Sequence, residues 1–138
     1  MGRENQTDGG GMPRRWLPLF IWIALIFIGS SIPQLSNEKI GMPPGTDKVV
    51  HVVEYLVLAV LFFRGFGVRR LGKSVSVWLL VVAICLAVGA VDEYHQRFIP
   101  GRDSNLIDFA SNALGIAVGT VIGAWRLRRG TVRRAEKI

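Results

Sequence analysis

The chain has 138 residues, 50% of them hydrophobic, a formal charge of +7 and one cysteine. That length holds about one domain, and the apolar content excludes a disordered basic tail. The lone Cys85 excludes an intramolecular disulfide framework and a four-cysteine zinc site. A pI near 10.5 raises the question of nucleic acid, but a mean hydropathy of +0.36 points to lipid if the apolar residues are gathered in blocks.

They are gathered in four. Residues 1–13 are polar and glycine-rich and are expected to form a disordered tail. A membrane domain is expected over residues 14–128. Its first helix covers about 16–32 (WLPLFIWIALIFIGSSI), with no charged side chain. Arg14-Arg15 precede it, yet no A-x-A-like cleavage site follows and three more blocks come after, so it is read as a retained helix and not a signal peptide. Pro33, Gly41, Pro43, Pro44 and Gly45 mark a loop. The second helix covers 49–66, with His51 and Glu54 near its start. After a short basic loop, the third covers 75–91 (VSVWLLVVAICLAVGAV). Residues 92–108 (DEYHQRFIPGRDSNLID) connect to the fourth helix, with Pro100-Gly101 as a turn in the middle. The fourth covers 106–126, beginning near Ser104 or Asn105, with Asp103 or Ser104 as its cap. Residues 129–138 form a basic tail. With its flanks, each block is long enough to cross a ~30 Å hydrocarbon layer. A soluble bundle would need polar outer faces, which three of the blocks lack. The expected fold is all-α, a four-transmembrane-helix bundle. The four tryptophans, Trp16, Trp22, Trp78 and Trp125, read as interface or packing aromatics.

Charge supplies an orientation. With the N-terminus in the cytoplasm, the inner side holds Arg3, Arg14, Arg15, Arg64, Arg69, Arg70, Lys73 and the six basic residues from Arg126 onward. Only Lys39, Lys48, Arg97 and Arg102 lie outside. The acidic residues sort the other way, with Glu38, Asp47, Glu54, Asp92, Glu93, Asp103 and Asp108 outside. The positive-inside rule therefore predicts both termini in the cytoplasm. The pI is a topology signal, and no nucleic-acid partner is expected.

The polar residues fall at one depth. Asp47, His51, Glu54 and Tyr55, at i, i+4, i+7 and i+8, share a face near the outer end of helix 2. Asp92, Glu93 and Gln96 close the outer end of helix 3. Asp108 and Asn112 share a face of helix 4 that continues inward as Gly115, Gly119 and Gly123, a spacing that permits close helix packing. Ionisable groups within a span face a bundle interior or a polar cavity. One outward-facing cavity is therefore expected, lined by these residues and Arg102.

These residues also carry a resemblance. Ser31 and Pro33, then DKVVHVVEYLVLAVLF at 47–62, and above all DEYHQRFIPGRDSNLIDFASNALGIAVG at 92–119, resemble the VanZ-like family of small bacterial integral membrane proteins. The pattern D-E-x-x-Q-x-F-x-P-G-R, then Asp108-x-x-x-Asn112-x-x-Gly115, is specific, and the resemblance spans about 30–123. It implies a multi-pass protein of the bacterial cytoplasmic (inner) membrane, in a family whose founding member is associated with teicoplanin resistance. It brings no mechanism.

Three functions fit these parts. The first is a binder that uses the cavity for a polar group of a lipid, cell-wall precursor or lipoglycopeptide-type antibiotic. The second is a membrane enzyme doing acid–base chemistry on a lipid-linked substrate, with His51, Glu54, Asp92 and Glu93 as candidate catalytic groups and Arg102 as an anion clamp. Ser31, Ser104 and Ser111 sit in no recognisable nucleophile motif. The third, a proton-coupled transporter, is disfavoured because no carboxylate lies deeper than Glu54. His51 and Glu54, at i and i+3, could share an ion with Asp92 or Glu93, but no second histidine lies at a firm ligand spacing, so no metal and no cofactor is expected. The plainer alternative is a scaffold in which the polar groups only tie helices together. A homo-oligomer is compatible with all of these.

Overall fold

Two serines close the first helix. The Ser30 hydroxyl oxygen lies 2.9 Å from the Ile26 carbonyl, the Ser31 hydroxyl donates to that of Phe27 at 2.6 Å, and Pro33 follows. Pro18 sits in the first turn, where its missing N–H costs no helical bond. The helix between them, α1, is Leu17–Ser30. The structure is a computed structural model that describes residues 14–33, 41, 43–66, 75–102 and 104–135, with side chains described as far as Arg126. The expected polar tail, the basic loop residues Arg69, Arg70 and Lys73, and Asp103 lie outside the described residues.

Three further helices follow: α2 (Thr46–Phe66), α3 (Val75–Gln96) and α4 (Leu106–Ala135). The fold is all-α, and among the described residues there is no strand. Three helical stretches are long and apolar enough to cross a membrane: Thr46–Phe66, Val75–Gln96 and Leu106–Arg126. At 14 residues, α1 is apolar but rises only about 21 Å. It is shorter at both ends than the expected 16–32.

The other ends differ from expectation in an informative way. Helix α2 starts at Thr46, three residues early, after the Pro43-Pro44-Gly45 turn; Gly45 has φ +86°, a conformation glycine adopts without strain. Helix α3 runs through Gln96, five residues past the apolar block, so Asp92 and Glu93 are helical and not in a connection. The true connection is short. Arg102 N–H donates to the Ile99 carbonyl at 3.2 Å across Pro100-Gly101, and Gly101 has φ +79°, the signature of a type II turn. The cap of α4 is Asn105, whose Oδ1 accepts from the N–H groups of Ile107 (2.8 Å) and Asp108 (3.1 Å). Ser104 does not serve as the cap. The helical backbone of α4 continues to Ala135, well past the expected 126.

Helices α2 and α4 make the tightest pair. The glycines at 115, 119 and 123 explain why. A Cβ on Gly119 would stand 2.5 Å from the Leu56 carbonyl oxygen and 2.8 Å from the Ala59 Cβ; one on Gly115 would run into the Val52 carbonyl. The two backbones are in contact with no side chain between them, as the spacing predicts. Below this seam Tyr55, Leu58, Phe63, Val81, Cys85 and Ile116 form the apolar core with Leu19 and Ile26 of α1. Trp78 leans on Phe63 with ring centroids 4.7 Å apart, and Trp16 stands edge-on to Phe66 at 5.1 Å. The Trp22 indole donates to the Glu54 carbonyl at 2.9 Å, tying α1 to α2.

The distribution of side chains inverts that of a soluble protein. Leu79, Leu80, Val91, Leu114 and Val121 are exposed, while Ser30, His51, Asp92, Glu93, Gln96, Asp108 and Asn112 are buried. An apolar exterior around a polar interior is the arrangement lipid demands.

Candidate functional site

The C-terminal ends of α1 and α3 and the N-terminal ends of α2 and α4 meet at one end of the bundle. Asp92 is at the centre, 1% exposed. Its Oδ1 accepts from the Ser30 hydroxyl at 2.5 Å, and its Oδ2 accepts from Gln96 Nε2 at 3.0 Å and the Tyr55 hydroxyl at 3.3 Å. Three helices are thus joined through one carboxylate. Ser30 is not among the residues that the sequence pattern marks for the site. Its signal lies in α1 itself: the buried residues of that helix are Leu19, Ile26 and Ser30, a single stripe at i, i+7 and i+11.

One turn across, Asn112 Nδ2 of α4 donates to Glu93 Oε1 at 3.2 Å. His51 of α2 lies against this pair. Ligand-capable atoms of His51, Asp92 and Glu93 fall within 4.8 Å of one another, and all three residues are buried. Glu54 belongs to α2 as expected but not to this trio; it is half-buried. The four residues of its sequence face therefore divide, with His51 and Tyr55 inward and Asp47 and Glu54 at the margin.

The margin is held by Lys48, a second residue the sequence reading left out of the site. Its Nζ donates to Asp108 Oδ1 at 2.6 Å and to Asp47 Oδ2 at 2.5 Å. Asp108 is nearly covered, with 6% of its side chain exposed. Arg102, delivered by the type II turn, donates from Nη2 to the Gly29 carbonyl at 2.8 Å. There it satisfies a carbonyl at the C-terminal end of α1, where a cation is favoured. It is therefore partly occupied with holding the bundle end, not wholly available as an anion clamp. His95 packs edge-on against Phe27 at 6.0 Å, away from the trio's own contacts.

Several polar atoms in this end are buried without a partner: His51 Nδ1, Glu93 Oε2, Asn112 Oδ1, Arg102 Nε and His95 Nδ1. Buried polar atoms ordinarily find partners, and three of these, on His51, Glu93 and Asn112, lie together. A groove of about 420 Å³ opens beside it between α3 and α4. Glu93 forms part of its wall, with Arg97, Ser104 and Asn105 as further polar groups and Ala90, Tyr94, Leu106 and Phe109 as apolar ones.

The sequence of these elements has a match among known families: the family model described as VanZ/LLP1 covers residues 15–127. The chain belongs to the VanZ/LLP1 family. No curated protein and no solved structure matches it. For a VanZ/LLP1 protein with three long apolar helices, a membrane location follows directly. The matched region of this VanZ/LLP1 chain takes in every residue of the buried polar end, from Ser30 to Asn112.

Proposed function

We propose that this VanZ/LLP1 protein is a binding protein of the bacterial cytoplasmic membrane that receives a lipid-borne envelope molecule at the polar end of its bundle. In this reading α1 crosses the bilayer with the other helices, both termini are cytoplasmic, and the polar end faces outward. The asymmetry of lysine and arginine supports that orientation. The observation that carries the binding reading is the groove between α3 and α4. It offers Leu106, Phe109 and Tyr94 to an acyl or polyprenyl chain, Arg97 to an anionic head, and Glu93 as the link to the buried polar network. An amphipathic ligand, such as a lipid, a cell-wall precursor or a lipoglycopeptide of the teicoplanin type, has that combination of parts.

The test is complementation of a deletion strain, with protein abundance checked in the membrane fraction. Wild type is expected to restore the deletion's envelope-antibiotic susceptibility phenotype, lipoglycopeptides included, while Glu93→Gln and Phe109→Ala at normal abundance are expected to fail. Full rescue by both variants would overturn the binding reading. One observation favours an enzyme as second reading: His51 stands within 4.8 Å of two carboxylates, near enough for a small rotamer change to let one of them orient its imidazole as a general base. Loss of turnover with retained binding in His51→Ala would favour it.

A further inference from the structure

We infer that His51, Asp92 and Glu93 form a binding site for a divalent transition-metal cation of the zinc or manganese class, completed by the side-chain oxygen of Asn112. The site stands on its own geometry and does not require that the groove bind a lipid.

The four donors come from three helices, and three of them lie close enough to share one ion: one ligand atom from each of His51, Asp92 and Glu93 falls within 4.8 Å of the others. Two atoms about 2 Å from a common ion are separated by up to about 4 Å, so small rotamer changes close the set. Each donor is at least nine-tenths buried: His51 is 6% exposed, Glu93 6%, Asp92 1% and Asn112 0%. An acidic cluster alone would be weak ground. Here three of the four residues also carry a buried acceptor-capable atom with no partner: His51 Nδ1, Glu93 Oε2 and Asn112 Oδ1. Several lone pairs left unanswered in one dry place are what a cation answers and what a further hydrogen-bond acceptor would not.

The surrounding residues are arranged as outer partners of a metal site. Asp92 already accepts from Ser30, Tyr55 and Gln96, bonds that fix the carboxylate's orientation and still leave Oδ1 a lone pair. Asn112 Nδ2 fixes Glu93 Oε1 and leaves Oε2 free. Charge agrees. Among the described residues, Asp47, Glu54, Asp92, Glu93 and Asp108 share this end with Lys48, Arg102 and Arg97, the last on the groove wall. Lys48 is bound to Asp47 and Asp108, and Arg102 donates to the Gly29 carbonyl. Among the described residues neither Asp92 nor Glu93 has an ion-pair partner. Buried carboxylates in that position are paired, neutral or metal-bound. The identity of the ion follows from the donors. An imidazole with oxygen ligands suits zinc or manganese and is a poor choice for calcium or magnesium. The His51–Glu54 pair suggested by sequence spacing is replaced by a set drawn from different helices.

The experiment uses the full chain, purified in mild detergent without a polyhistidine tag, stripped with chelator and titrated with zinc chloride or manganese chloride alone. Binding is read by calorimetry and by metal content after gel filtration. Wild type and His95→Gln are expected to hold about one equivalent, with His51→Gln and Glu93→Gln at least tenfold weaker. X-ray absorption of the zinc-loaded wild type is expected to show one imidazole among oxygen ligands and no sulfur, and this decides the matter if a variant fails to fold. No stoichiometric binding in wild type overturns the proposal. So does binding that survives both substitutions, or that is lost only with His95→Gln.

Discussion

The α2–α4 seam makes a quantitative prediction through a single methyl group. Gly119→Ala adds a Cβ that would stand 2.5 Å from the Leu56 carbonyl oxygen, 2.8 Å from the Ala59 Cβ and 3.1 Å from the Leu56 Cα. Carbon atoms settle at ~3.5 Å or more, so the helices must part by about 0.7 Å. Two of the three obstructing atoms are backbone and cannot rotate away. Overpacking of this kind costs about 3 kcal/mol, of which the better helix propensity of alanine returns about 1. A net loss of roughly 2 kcal/mol is expected. Gly29→Ala is the matched control, because a Cβ there meets nothing within 4 Å. It keeps only the propensity term and is expected to stabilise by up to about 1 kcal/mol. Thermal and denaturant unfolding in mild detergent, followed by circular dichroism, measures both. Equal stability of the two variants would refute the backbone-contact reasoning.

Other consequences are open to the same assay. Asp92→Ala leaves donors of Tyr55 and Gln96 unanswered in a dry site and is expected to cost about 3 kcal/mol, whereas Tyr55→Phe removes only the longest of the Asp92 bonds and is expected to cost about 0.5; the reverse order would contradict a hub at Asp92. Lys48→Met strips the nearly covered Asp108 of its cation and is expected to destabilise by about 2 kcal/mol, most of which the double variant with Asp108→Asn recovers. Arg97→Cys on a Cys85→Ser background is expected to react with a membrane-impermeant thiol reagent added outside intact cells; labelling only from the cytoplasmic side would invert the proposed orientation. Buried Cys85 itself is expected to stay unlabelled until the protein is denatured.

Much of this arrangement is legible in the residues alone. Four apolar blocks became four helices, and His51, Tyr55, Asp92, Glu93, Gln96, Asp108 and Asn112 are all buried at one end. The glycine series reads as packing and is packing. Errors fall where an apolar block stops and a helix does not. Hydropathy ends α3 at Val91, yet the next five residues stay helical because Asp92, Glu93 and Gln96 find partners on α1, α2 and α4 or on each other. A burial pattern cannot show that polar side chains will be satisfied inside. Ser30 was hidden for a related reason: a serine at a helix end reads as a terminator, and only its place in the Leu19–Ile26 stripe says otherwise. Lys48 was hidden because its partner Asp108 is 60 residues away. The grouping of His51 with Asp92 and Glu93 depends on how α2 and α3 are rotated against each other, which no local spacing encodes.

The brevity of α1 has a consequence for the surrounding bilayer. Its apolar length is about 21 Å, against a hydrocarbon layer of ~30 Å. A bundle bordered on one flank by so short an element presents two different heights to lipid. Bilayers answer such mismatch by thinning locally, since tilting shortens a helix further. If α1 crosses the bilayer as proposed, headgroups would come lower along it than along the other helices, toward Ser30, whose hydroxyl is bonded to Asp92. On the proposed orientation, the α1 flank would be the low side of the bundle, the side on which the membrane surface comes nearest to the Ser30–Asp92 bond.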